Sequence, residues 1–475
     1  MMIFISPLAR SLMAGAIFFS VTSGTSQTIV PIIPPAPGKV IAAVPCDNDP
    51  NQSYALYLPS AYTREKRWPI IYAFDPLARG RVPLEFYKEI AEKYGYILAG
   101  SNNSRNFSAA DSSRGTAAMW QDTHARLSID PRRTYATGFS GGARAAGGLA
   151  MRCPQCRIAG VIAHGAGYPA SAQVTAGDRL LYFFSVGDRD FNWPEVISIR
   201  RQREEMGLPY RVQVFNGPHR WAPPEIFENA VEWLQLRAMQ AGTLSPEPAF
   251  VNLVFEREQK QAEDAVKQSD AIAELSAYRS LVSDFAGLKD VTEYDRKPTA
   301  LKASAGLKQA LKKEQDEISM QASLVRQTAI KLSALGDGTE GQLDLRDAIS
   351  QDMKRLHDRS EHAKNDDQRN LFARAFSALW AEGIEAGQSA LETRHFMVAQ
   401  SYFELMGEVK EDPWPSLLLA ETSTGMGNHK QAVKDLREAV RRGLKNPETL
   451  EDDKNLQPLS SDPEFQKLLA ELKAK

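Results

Sequence analysis

Gly138-Phe139-Ser140-Gly141-Gly142 is the stretch on which the fold of this chain turns. The residues before it, Arg133-Thr134-Tyr135-Ala136-Thr137, lean apolar and read as a strand. Those after it, Ala143 to Met151, are rich in alanine and read as a helix. Gly-x-Ser-x-Gly between a strand and a helix forms a sharp turn that strains the serine backbone and projects its hydroxyl from the sheet edge. Glycines beside the serine let strand and helix approach without a Cβ clash. The start of the helix aims free N–H groups at the same spot, which suits an oxyanion. Alone, the five residues fit a glycine-rich turn around an ordinary serine equally well. The surrounding chain decides between the two.

Working outward, Trp68 to Phe74, Ile158 to Ala163 and Leu180 to Val186 are near-continuous apolar runs, the mark of strands buried on both faces. Tyr54 to Leu58, Tyr96 to Gly100 and Arg211 to Phe215 read as further strands. Helical spacing fills the gaps at 83–94, 117–127, 194–206 and 224–239. Strands alternating with helices predict a doubly wound, mostly parallel α/β sheet covered on both faces.

An activated serine needs a base and an orienting acid, and in this kind of sheet they follow it in the order serine, acid, histidine. Asp190 lies in the loop after the strand ending at Val186, in Gly187-Asp188-Arg189-Asp190-Phe191-Asn192. His219 lies after the strand ending at Phe215, in Gly217-Pro218-His219-Arg220-Trp221. Before residue 245 the histidines are His124, His164 and His219, and only His219 follows the final strand. Asp190 is preferred to Asp188 because it is far enough along the loop to turn toward the histidine. The expected oxyanion donors are the N–H of Gly141 and one from the loop after the strand ending at Phe74. Phe74 or Asp75 can donate there; Pro76 has no N–H. His164-Gly165-Ala166-Gly167 mimics an oxyanion motif but lies downstream of the serine, and is read as a strand cap.

With these residues the stretch 50–242 resembles the α/β-hydrolase family, in its compact dienelactone-hydrolase-like and depolymerase-like esterase branch. The resemblance implies an acyl-enzyme on Ser140, His219 as general base and then acid, and Asp190 holding the imidazole tautomer, with no metal or organic cofactor. Phe74-Asp75-Pro76 departs from the histidine-glycine run many lipases carry at that loop. The segment Gly167 to Asp178, the usual place of a lid, is short, which predicts an open site and small or solvent-exposed esters. Arg79, Arg105 and Arg144 flank the carboxyl side of the sheet and suit a substrate anion, or local acidic partners. Phe191, Trp193 and Trp221 suit the walls of an acyl pocket or ordinary loop packing.

The chain has 475 residues, 43% hydrophobic and 24% charged, with net charge −2. That is material for two or three globular domains and does not favour nucleic acid or an acidic membrane as partner. Residues 1–26 read as an export signal: Arg10, the short apolar run Leu12 to Val21, then Gly24 and Ser26 before Gln27. A periplasmic or secreted protein without a stable membrane span is the expectation. Residues 27–49, with Pro31 to Pro37, read as a linker. Cys153-Pro154-Gln155-Cys156 suits a small disulfide loop in an exported chain.

Past residue 245 strand signals end and helical periodicity takes over, dividing into a helical region (246–378) and a repeat-like region (379–475). Ala399 and Phe403 recur as Ala432 and Leu436, and Gly387 as Ala420, at an offset of 33 residues (432 − 399). With Gly427 and Ala439 this stretch resembles the tetratricopeptide repeat family, which implies a surface for a protein partner. The functional expectation is an exported serine hydrolase of carboxylic esters. A peptidase or acyltransferase with the same residues, and a non-catalytic scaffold, are the alternatives.

Overall fold

In the computed structural model, the protein is described over residues 36–170, 172–336, 342–451 and 453–474. Residues 1–26, read as an export signal, and most of the proline-rich spacer lie outside the described residues. Eight strands form one sheet: β1 (Val40–Cys46), β2 (Asp49–Tyr57), β3 (Trp68–Phe74), β4 (Ile97–Ser101), β5 (Ile129–Phe139), β6 (Ile158–His164), β7 (Leu181–Gly187) and β8 (Tyr210–Phe215). Their order is β1-β2-β4-β3-β5-β6-β7-β8. β2 runs antiparallel to both β1 and β4, and the remaining neighbours are parallel.

The helices α1 (Arg81–Tyr94), α2 (Ala109–Arg126), α3 (Gly141–Arg152) and α4 (Trp193–Glu205) cross over between strands, and α5 (Pro224–Gln240) follows the last strand. Alternation along the strands assigns them to two faces. Ile70, Tyr72 and Phe74 point into a core with Met119, Ala143, Ala146 and Val196 of α2, α3 and α4. Ile71 and Ala73 point the other way, onto Leu84, Tyr87 and Ile90 of α1 and Phe227, Val231 and Leu234 of α5. All seven residues of β3 are buried, as its unbroken apolar run requires. This is the expected doubly wound, mostly parallel α/β sheet, with the serine turn at the end of the central strand β5.

Two boundaries differ from the sequence reading. The sheet begins at Val40, inside the stretch 27–49 read as linker. β1 is an edge strand that buries only Val44 and Cys46 and exposes Ala42, Ala43 and Pro45, so its alternation is weak. Helix α2 starts at Ala109, eight residues before the helical spacing read at 117–127 (117 − 109); its first turn, Ala109 to Ser112, is mostly exposed and carries no large apolar residue.

The rest is helical: α6 (Pro248–Gln268), α7 (Ala271–Asp284), α8 (Lys297–Ala303), α9 (Ala305–Leu335), α10 (Gln342–Glu361), α11 (Asp366–Glu392), α12 (Phe396–Val409), α13 (Pro413–Gly425), α14 (His429–Arg441), α15 (Glu448–Glu451) and α16 (Pro463–Lys473). Side-chain caps set the breaks. Asp270 accepts from Ile272 and Ala273, Ser304 from Leu307, and Asn365 from Gln368. No helix among the described residues is long and apolar enough to cross a membrane.

Helix α11 runs unbroken through residues 378 and 379, where the sequence was divided, and one apolar core joins Leu332, Met353, Leu379 and Phe403 across that point. The pairs α11–α12 and α13–α14 do turn at matching places: α12 starts at Phe396 and α14 at His429, 33 residues on (429 − 396). Ala399, Phe403, Ala432 and Leu436 are all buried.

The helical part is joined to the exposed edge of the sheet. Arg211 on β8 is bonded by Glu258 of α6 at 2.8 Å and Asp284 of α7 at 2.8 Å, with all three largely buried. Helices α6 and α7 are thus tied to the last strand of the sheet through the side chain of Arg211.

Candidate active site

Ser140 sits at φ 55° and ψ −123°, a conformation that costs a non-glycine residue free energy and persists only when its surroundings enforce it. Its N–H donates to the His164 carbonyl at 2.8 Å, and its own carbonyl accepts from Ala143 at 3.0 Å. A Cβ on Gly142 would stand 2.0 Å from the Phe74 carbonyl oxygen and 3.3 Å from the Asp75 nitrogen. Only glycine there lets the end of β3 run against the serine turn. A Cβ on Gly141 would meet Asn106 Oδ1 at 1.8 Å. Asn106 was not singled out from sequence. It arrives on the 102–108 loop, whose backbone bonds to the loop after β3 through Asn106 N–H to the Pro76 carbonyl at 2.9 Å.

The structure brings Ser140, His219 and Asp190 together. Ser140 Oγ is 2.9 Å from His219 Nε2, and His219 Nδ1 is 2.9 Å from both carboxylate oxygens of Asp190. A carboxylate only accepts, so Nδ1–H donates to Asp190 and Nε2 is left to accept the Ser140 hydroxyl proton. Asp190 is fully buried and also accepts from the Asn192 N–H at 2.8 Å. The imidazole is held between two rings, Phe139 at 4.5 Å and Phe191 at 4.3 Å between centroids. Asp188 points elsewhere, accepting from the Gly217 N–H at 2.9 Å. An imidazole oriented by a buried carboxylate can strip a hydroxyl proton and so create a nucleophile.

Of the expected oxyanion donors, Gly141 is the first residue of α3, where a helix leaves its N–H groups without intrahelical partners. Phe74 ends β3 with its carbonyl against Gly142, and the Asp75 nitrogen is the next backbone group along. The Asp75 side chain is fully engaged, by the Leu77 N–H at 2.9 Å, by Arg79 at 2.9 and 3.0 Å, and by Trp221 Nε1 at 3.0 Å.

The arginines all have acidic partners. Arg79 pairs with Asp75, Arg144 makes two 2.8 Å bonds to Glu195, and Arg105 lies 3.5 Å from Glu392. Trp193 is buried under the Arg374 guanidinium, 4.2 Å from its ring centre, and Trp221 is buried against Phe139 and His164. The rings next to the base are therefore Phe139 and Phe191.

Ser140 and His219 are both partly exposed, and part of the site's surroundings comes from the helical region. Helices α9 and α11 stand over the loops at the carboxyl ends of the strands. Gln321 of α9 donates to the Phe191 carbonyl at 3.2 Å and Arg374 of α11 to the Asp188 carbonyl at 2.8 Å. Further along α11, solvent reaches Glu385, yet the protein packed around it raises its carboxyl above the ordinary range. The charges of His219 and Arg144 oppose that rise, so Glu385 lies within electrostatic reach of the base. The short loop at 167–178 carries no sign of these contacts from α9 and α11 to the acid loop.

His164 is fully buried, with Nδ1 2.6 Å from Ser185 Oγ, and burial lowers its pKa to about 3. The unfolded residue takes up a proton below about pH 6.5 and the folded one does not until about pH 3, so stability drops as pH falls through that window. Between pH 7 and pH 5 this residue alone is expected to remove about 2 kcal/mol. Urea unfolding of wild type and His164→Asn at the two pH values checks it; equal pH dependence in both would refute it.

Comparison with models of known protein families matches none, and comparison with curated proteins matches none. Among solved structures, an S-formylglutathione hydrolase from Staphylococcus aureus is similar at 12% identity over 38% of this chain and 90% of that enzyme, with TM-score 0.32. Thermogutta terrifontis esterase 2, phosphorylated by paraoxon, is similar at 15% identity over 45% of this chain and 98% of its own, with TM-score 0.34. Porphyromonas gingivalis dipeptidyl peptidase 4 is similar at 12% identity over 41% of this chain and 35% of its own, with TM-score 0.33. Likenesses this distant decide nothing about chemistry, which is left to the geometry of the site.

Proposed function

We propose that this chain is a serine hydrolase that cleaves a carboxylic ester through an acyl-enzyme on Ser140. The observation that carries the proposal is the line from Ser140 Oγ through both nitrogens of His219 to buried Asp190, with 2.9 Å at each link. His219 Nε2 takes the hydroxyl proton as Oγ attacks the ester carbonyl carbon. The developing oxyanion is received by the Gly141 N–H and by that of Asp75 or Phe74. The imidazolium then gives its proton to the departing alkoxide. A water, deprotonated by the same nitrogen, releases the acid and regenerates Ser140. Asp190 stays ionised and fixes the tautomer.

The charges around the site favour a neutral or cationic acyl group over an anionic one. Arg79, Arg105 and Arg144 already face carboxylates, while Glu385 forms no ion pair within 4 Å among the described residues. A fluorophosphonate probe should label folded protein at Ser140, and absence of labelling would remove the hydrolase reading. p-Nitrophenyl esters with neutral, cationic and anionic acyl groups, set beside matching p-nitroanilides, test the rest. Esters should turn over faster than anilides and anionic esters slowest; faster anilide cleavage would make the chain a peptidase instead.

A further inference from the structure

We infer, on the serine-hydrolase reading above, that Arg374 of α11 is a positioning residue for the catalytic acid, so that the helical region is a working part of the active site. Asp190 lies on the loop between Asp188 and Phe191, and the carbonyls of those two flanking residues are both held from outside the sheet domain. Arg374 Nη1 donates to the Asp188 carbonyl at 2.8 Å. Gln321 Nε2 donates to the Phe191 carbonyl at 3.2 Å. Arg374 Nε donates to Gln321 Oε1 at 3.0 Å, which ties the two holds into one unit.

The rest of the guanidinium is also spoken for. Nη2 donates to Glu317 of α9 at 3.0 Å, and the plane covers the Trp193 ring, which starts the helix leaving the acid loop. Asn370, one turn earlier on α11, reaches Asp188 Oδ2 at 3.4 Å. Arg374 is 2% exposed and Gln321 5% exposed. A buried guanidinium is costly unless its partners are fixed, so this arrangement has one low-energy geometry and imposes it on the loop. The sheet side anchors the loop independently, through Asp188 N–H to the Phe215 carbonyl at 2.9 Å and Asp190 N–H to the Gly187 carbonyl at 3.1 Å. Loss of Arg374 therefore releases one side of the loop and leaves the other. What moves is the aim of Asp190, together with the Phe191 ring that flanks the base.

Displacing a reacting group by about 1 Å can cost about 10²-fold in rate, so Arg374→Met is expected to lower kcat about 10- to 100-fold with little change in KM for a small ester. Arg374→Lys should recover part of the loss, since it restores one donor but not the fork. The decisive measurement is a cycle with Asp190→Asn. If Arg374 acts through the acid, the two losses fail to multiply, and Arg374→Met costs less than about threefold in the Asp190→Asn background. Full multiplication would overturn the inference, as would wild-type kcat in a folded Arg374→Met protein. Should that variant not fold, Gln321→Met carries the same expectations. A substrate-free readout separates this from failure of the hydrolase reading. The Nδ1–H proton of His219 shared with Asp190 gives a downfield proton resonance in the wild type, which should shift or broaden in Arg374→Met. An unchanged resonance, or none in the wild type, overturns the positioning role whether or not any ester is cleaved.

Discussion

Ser140→Ala is expected to lower kcat on any ester the protein turns over by about 10⁴- to 10⁶-fold, the range seen when a triad serine is removed elsewhere. Among the described residues no other hydroxyl is bonded to His219 Nε2. Ser140 Oγ is the hydroxyl placed 2.9 Å from His219 Nε2, and its position depends on the positive-φ turn that carries it. What survives comes from the oxyanion donors and substrate binding, which the mutation leaves in place. The fold should survive too. Alanine meets the same backbone strain at φ 55° as serine does, and Ser140 is only partly buried. Stability should move by less than about 1 kcal/mol, as for most substitutions that neither open a cavity nor strand a buried polar group. The measurement pairs steady-state ester hydrolysis with intact-mass detection of the fluorophosphonate adduct. Retained turnover by a folded Ser140→Ala protein would end the acyl-enzyme proposal.

Much of this site was legible because the fold puts chemistry at strand ends in a fixed order. The apolar runs of β3, β6 and β7 gave the strands, and the loops after β5, β7 and β8 then had to hold Ser140, Asp190 and His219. Choosing Asp190 over Asp188 needed only the length of a loop. What sequence could not carry were contacts between distant segments. Arg105 and Arg144 looked available for an anion because their partners Glu392 and Glu195 are brought in by tertiary packing, whereas Arg79 pairs with Asp75 only four residues before it. Arg374 and Gln321 read as ordinary polar positions on long helices, since nothing in helical periodicity reports that a helix docks over a catalytic loop. Asn106 sat in a polar stretch whose only distinguishing feature, contact with Gly141, is three-dimensional. The edge strand β1 was missed for a different reason: an edge buries so little that its alternation fades into linker composition.

Asp190→Asn should cost about 10³- to 10⁴-fold in kcat near pH 7 while leaving the fold intact, and it tests the site more sharply than removal of the nucleophile. The carboxylate can only accept, and so it forces the proton onto His219 Nδ1. An asparagine amide offers an N–H₂ at the same place. The imidazole then accepts at Nδ1 and carries its proton on Nε2, facing Ser140 with a donor where an acceptor is required. Asparagine keeps the volume of aspartate, and its carbonyl can still take the Asn192 N–H that Asp190 Oδ1 accepts at 2.8 Å, so the loop has no reason to collapse. The control lies two residues away. Asp188 accepts from Gly217 at 2.9 Å and makes no bond to His219, so Asp188→Asn should lose less than about tenfold, through loop packing alone. The ratio between the two variants isolates the tautomer effect from any general loosening of the 187–192 loop. If Asp188→Asn proves as damaging as Asp190→Asn, the loss belongs to the loop and not to the proton on Nδ1. The assignment of Asp190 as the orienting acid would then fall, even with Ser140 still labelled.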